Sequence, residues 1–203
     1  MKLKSLKKIT AGLVIVFLLS ACGATGSGVT IGKTEISSAE IQKYVDEILS
    51  ERTKVDTSQM NLDSGASLLR TQAQFQIIST VLDELISEKK ISITPADVAA
   101  RRADIVAQVG GEASLPSALV SASLAPSNLD KYLKIILISE KLNELVISEG
   151  ATAESAGEVV TKLVTDTAKK LGVKVNSRYG KWNEETATID EADNTDGAVT
   201  PVP

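Results

Sequence analysis

The 203-residue chain has no histidine, one cysteine and two methionines, and aromatic residues make up only 3% of it. Without histidine, the side chain that most often shuttles protons or binds metal near neutral pH is missing. With Cys22 alone, no intramolecular disulfide can form, so the fold must rest on an apolar core. No His/Cys cluster is available for zinc, and the acidic residues lack the spacing of a calcium-binding loop. No glycine-rich loop of the kind that cradles phosphate occurs. Adjacent carboxylates such as Asp46/Glu47 and Asp83/Glu84 point about 100° apart on a helix, so they form no acid–base pair. These absences predict neither a cofactor nor a metal site.

What is present begins with a basic start, Lys2, Lys4, Lys7 and Lys8, followed by the apolar run Ala11 to Leu19. That pattern predicts a secretory signal over residues 1–21, because a membrane-spanning helix needs about 20 apolar residues. Leu19-Ser20-Ala21-Cys22 resembles the lipobox of bacterial lipoproteins. The resemblance implies cleavage before Cys22, a diacylglycerol on its thiol and, in some bacteria, an amide-linked fatty acyl chain such as palmitate. The protein would then sit on the extracytoplasmic face of a bacterial membrane, held by the two or more chains that stable anchoring requires. The alternative is an ordinary signal peptide in which Cys22 merely follows small residues.

Four of the 22 basic residues leave with the leader, so 18 face 26 acidic ones and the mature chain of 182 residues carries a net charge of −8. This balance argues against nucleic acid and against electrostatic adhesion to anionic lipid. The membrane contact is expected through the lipid on Cys22 alone.

Residues 22–28 read as a lipidated, flexible tether. Val29 to Ile36 reads as two short extended pieces around Gly32-Lys33, too small to be stable without a later partner. Ser37-Ser38-Ala39-Glu40 is a capping box, and Ile41, Tyr44, Val45, Ile48 and Leu49 form the stripe of a helix running to about Arg52. A polar loop to Ser64 precedes a long helix, Gly65 to Lys90. Thr94-Pro95-Ala96-Asp97 starts another, which stops at Gly110-Gly111. After a short helix near Glu112 to Ser121, Pro126 to Ile147 is apolar on nearly every side and is expected to be wrapped by the other helices. A returning helix, about Ala153 to Leu171, leads to Val173-Lys174-Val175, the expected strand partner for Val29 to Ile36. From 183 to 203 the acidic composition predicts a disordered tail.

This order, with GG-E-A-S-L before PSNLDKYLK and a closing KVNSRYGKW, resembles the N-terminal domain of the SurA and PrsA extracytoplasmic foldases over about Val29 to Ile147 and Ala153 to Trp182. The resemblance implies a mostly α, multi-helix SurA N-terminal-like domain over residues 29–182, with a small sheet formed by its two ends. In that family a parvulin-type prolyl isomerase follows the long helix. Here only Ser148 to Thr152 stand at that point, and five residues cannot hold a domain of about 50 or more. No isomerase, and no enzyme, is therefore expected.

The resemblance implies a chaperone-like holder of unfolded or nascent exported proteins. Tyr44, Phe75 and Tyr132 lie on apolar stripes and are expected in the core, whereas Tyr179 and Trp182, together with Met60 in the polar loop, are the candidate substrate contacts. Two alternatives stay open: an adaptor lipoprotein that binds one envelope partner, and a module that recruits a separate isomerase.

Overall fold

A computed structural model describes residues 26–191. The signal, Cys22 and most of the tether therefore lie outside the described residues, as does the tail beyond Glu191. Within them the chain is mostly helical with a small antiparallel sheet: β1 (Ser27–Ile31), β2 (Thr34–Ser37), α1 (Ser38–Arg52), α2 (Gly65–Lys89), α3 (Pro95–Gln108), α4 (Leu115–Ser121), α5 (Leu129–Ser148), α6 (Ala156–Leu171), β3 (Val173–Val175), β4 (Lys181–Asn183) and β5 (Thr188–Asp190).

The first sheet has the order β2-β1-β3, so the two ends of the domain meet in it. Val29 opposes Ile36 on one side and Val175 on the other, and Ile31 opposes Val173. The strand-like pattern at 173–175 thus finds the partner that its sequence calls for. Gly28, expected in the tether, is instead part of β1. A Cβ there would fall 2.8 Å from the Ile36 carbonyl oxygen, so the strand closes on α1 only because the residue is glycine.

The local signals act as their chemistry dictates. Ser37 Oγ accepts from the Glu40 N–H at 3.1 Å and starts α1. Thr94 and Asp97 cap α3 reciprocally, with Pro95 at its first position. Lys90, in the left-handed conformation, ends α2.

The organising element is α2, not α5. At 100° per residue, Leu69, Ala73, Ile77 and Val81 share one face of α2, and Phe75, Ile78, Leu82 and Leu85 share the opposite one. The first face packs with Val29, Ile31, Ile36, Ala168 and Val173 beneath the sheet and α6. The second meets α5 through Ile138 and Leu142, and the α3–α4 region through Phe75. The expectation that the other helices wrap α5 on all sides is corrected. Its first half buries Leu129 and Leu133, its second half Ile138, Leu142 and Val146, while Tyr132 and Ile147 stay 38% and 46% exposed. A helix that changes its buried side midway needs apolar residues all round without ever being enclosed.

The expected tail start at 183 is also corrected. Lys181–Asn183 and Thr188–Asp190 form a hairpin. Gln74 of α2 docks it: its Nε2 donates to the Ala187 carbonyl at 2.8 Å, and its Oε1 accepts from the Ile189 N–H at 2.8 Å. A single side-chain amide thereby supplies the hydrogen bonds of one neighbouring strand residue, and Ile189 and Ala187 are buried beneath it. Acidic composition alone misses this, because the ordering comes from one glutamine over a hundred positions away.

Candidate binding cleft

On the face of α2 away from the sheet, α5 lies against α2 and α3 lies against α5. Helix α3 contributes no fully buried residue. Its apolar stripe, Val98, Ile105 and Val106, is half-buried over Leu115, Leu119, Leu124, Leu129 and Leu133. Polar contacts hold the helix in place. Arg101 pairs with Glu140 of α5. Arg102 forks onto Glu112 at 2.5 and 3.0 Å, and the bond draws the Glu112 carboxyl below its usual range. The backbone N–H and side chain of Thr94 likewise lower Asp97.

Where α3 stands away from α2, a cleft of about 520 Å³ opens, lined by Pro95, Val98, Ala99 and Arg102 of α3, Asp130, Lys131 and Lys134 of α5, and Asp83 of α2. Lys134 Nζ meets Asp83 Oδ1 at 2.7 Å and Lys131 Nζ meets Gln76 Oε1 at 2.6 Å, so two lysine stems lie flat along its floor. Three of the eight lining residues, Pro95, Val98 and Ala99, are apolar and the other five are charged. The lining holds no hydroxyl, thiol or imidazole; two carboxylates and three cations are its ionisable groups. A recess of about 670 Å³ beside α1 is more open to solvent and carries Lys43, Asp46, Glu47 and Glu51.

The candidate contacts drawn from sequence are not gathered here. Tyr179 is only 2% exposed and belongs to the sheet-side core, where Arg70 Nε donates to its carbonyl oxygen at 3.2 Å. The expectation that it faces a ligand is corrected: the turn Ser177–Tyr179 carries its ring inward beneath β1, and Gly180 brings β4 back against β5. Trp182 is half-buried on the same core, and Met60 is half-buried in the loop between α1 and α2. Neither lines the cleft. Conversely Tyr132, expected in the core, is 38% exposed. It borders a small pocket of about 90 Å³ with Phe75 and Gln72. Cys22 lies outside the described residues.

Sequence reading passed over Val98, Ala99 and Lys134. The available signal was the narrowness of the α3 stripe, with alanine or charge at most other positions of that helix. Among the described residues, no group of histidine, cysteine or carboxylate side chains is arranged to hold a metal, and no helix is long and apolar enough to cross a membrane. No protein-family model, no curated protein and no solved structure matches this chain.

Proposed function

We propose that this chain is a lipoprotein anchored through Cys22 to the extracytoplasmic face of a bacterial membrane. Its domain holds apolar segments of unfolded exported polypeptides and performs no prolyl isomerisation. The single observation that carries this reading is the α3 cleft. A helix without one fully buried residue, fastened by ion pairs, walls a recess that includes Pro95, Val98 and Ala99. Its volume lies in the range of about 300 to 1,000 Å³ in which binding sites are commonly found. A client segment gains by covering Val98, Ala99 and the stem of Lys134, and release follows because no reaction commits it.

The order of elements supports a SurA N-terminal-like arrangement. A hairpin precedes a capped helix and a long helix, the TPAD helix ends near Gly110-Gly111, and a short helix, a long helix and a returning helix lead to the closing strand. The turn Glu149–Ser155 between α5 and α6 leaves no room for a catalytic module there.

Ordering a flexible client opposes binding, so micromolar affinity is expected, on the order of −8 kcal/mol. The test is an aggregation assay on the soluble form that begins at Gly23, with a reduced, unfolding client. Light scattering should be delayed at a several-fold excess of wild type. The delay should be lost in Ala99→Glu, a substitution at an exposed position of the cleft wall that leaves the core intact. No delay with wild type, combined with stoichiometric capture of one folded envelope protein, would replace the holding function with the adaptor reading. Catalysed cis-to-trans conversion of a proline peptide that survived further purification would refute the absence of isomerase chemistry.

A further inference from the structure

Residues 167–183 carry five cations, Lys169, Lys170, Lys174, Arg178 and Lys181, and not one carboxylate, within a mature chain of net charge −8. Lys169 and Lys170 are matched to Glu185 and Glu88. Lys174, Arg178 and Lys181 are exposed, and among the described residues none of them enters an ion pair. The acids nearest in register are Glu35, which flanks Thr30 on the side opposite Lys174, and Asp190, opposite Lys181. The Asp190 carboxylate already accepts from Asn183 and Thr188.

The same segment receives the start of the domain. The Asn176 N–H donates to the Gly28 carbonyl at 2.9 Å and its Nδ2 donates to the Ser27 carbonyl at 3.1 Å. Only four positions separate Gly26 from Cys22, a reach of at most about 14 Å. A lipid on Cys22 would therefore lie within that reach of the end of the sheet where β1 meets Asn176.

We propose that Lys174, Arg178 and Lys181 form a docking surface for anionic phospholipid headgroups. It turns the sheet side toward the membrane and the α3 cleft away from it, where clients arrive. The inference rests on the lipidation of Cys22. The net charge of the whole chain argues against such adhesion, but headgroups sense charge within about a Debye length, 8 to 10 Å, and on the adjoining hairpin Glu185 is paired with Lys169 and Glu191 with Arg70, which leaves Glu184.

The test uses the full lipidated protein on phosphatidylcholine vesicles with and without phosphatidylglycerol, each doped with a nitroxide-headgroup lipid. A fluorophore is attached at Ser177→Cys or at Ala103→Cys, both exposed positions, the second on α3. At Ser177→Cys, quenching should rise about twofold or more when phosphatidylglycerol is present. It should fall back in molar salt and in the folded triple variant Lys174→Gln/Arg178→Gln/Lys181→Gln. Ala103→Cys should stay unquenched. Equal quenching with and without phosphatidylglycerol, quenching that survives in the triple variant, or stronger quenching at Ala103→Cys overturns the proposal. Inorganic phosphate that releases the surface better than chloride at equal ionic strength overturns it in favour of a small-anion site. Failure to remain on neutral vesicles refutes the Cys22 anchor and this surface with it, while the soluble aggregation assay stands or falls separately.

Discussion

On the sheet side of α2, Val29, Ala73, Ile77 and Val81 are fully sealed, and Tyr179, Ile189 and Val173 close over them from the far end of the chain. On the other side, α3 is sealed nowhere, and the first half of α5 meets α2 through amides and a lysine as well as through hydrocarbon. Gln72 Oε1, Gln76 Nε2 and Asn128 Nδ2 are buried there without a partner among the described residues, and on the sheet side the Tyr179 hydroxyl alone among that core's side chains is so placed. Buried groups of this kind lower stability by about 1 to 3 kcal/mol each unless water reaches them. The contrast teaches that one helix carries two tasks. Its dry face holds the fold and ties both chain ends into it, and its polar face supports helices that can separate at small cost.

The sharpest way to break this comparison is to cut into both sides equally. Ile77→Ala on the dry face should lower unfolding free energy by about 2 to 5 kcal/mol, because the sealed site cannot collapse around the lost methyl groups. Val98→Ala on α3 should lower it by roughly 1 kcal/mol or less, since that side chain is only half removed from water. Denaturant titration compares the two, and equal losses would mean that α3 is as integral as α2.

The next effect concerns the C-terminal hairpin. Gln74→Ala removes both amide hydrogen bonds to Ala187 and Ile189, a loss of about 1 to 3 kcal/mol. Proteolysis near Asn183–Thr188 should accelerate while the rest of the domain survives. Gly180→Ala should act in the same place and more harshly, because its Cβ would lie 2.1 Å from the Asp190 carbonyl oxygen at a φ of 128°.

A smaller effect sharpens the account of α3. Thr94→Ala removes the hydroxyl that accepts from the Asp97 N–H and donates to its carboxylate, while the Thr94 backbone N–H, the larger cause of the lowered Asp97 carboxyl, remains. Amide exchange should quicken across Pro95–Gln108 and change little in α2. Exchange that rises equally in both helices would show them to open as one unit.

The smallest effect is a pH dependence on α1. Burial, reinforced by the hydrogen bond that its hydroxyl donates to Glu40, pushes Tyr44 up to about 12 from an ordinary value near 10.0. The folded state therefore keeps the proton longer than the unfolded chain does. The contribution is complete below about pH 10 and is lost as pH rises toward 12. Denaturation midpoints of Tyr44→Phe should decline less across that window than those of the wild type.

Elements whose causes are local were legible from the residues: the Ser37 and Thr94 caps, the period of each stripe, and the need of Val29 to Ile36 for a partner at 173–175. The aromatics were not. Tyr179 and Tyr132 are both tyrosines beside apolar neighbours. One is carried into the core by a short turn, and the other stands in the first half of α5 beside the buried Leu133 but turned about 100° from it along the helix.

Composition and period determined that this chain forms mostly helices with capped starts and that it has no histidine, because each of these depends on residue types or on residues within a turn or two of one another. Tertiary structure alone decided that α2 is the spine, that Gln74 docks the hairpin, that α3 stands over a cleft, and that the segment carrying Lys174 meets the start of the domain. Each of these depends on which distant surfaces meet, and burial and charge are summed over space, not along the chain.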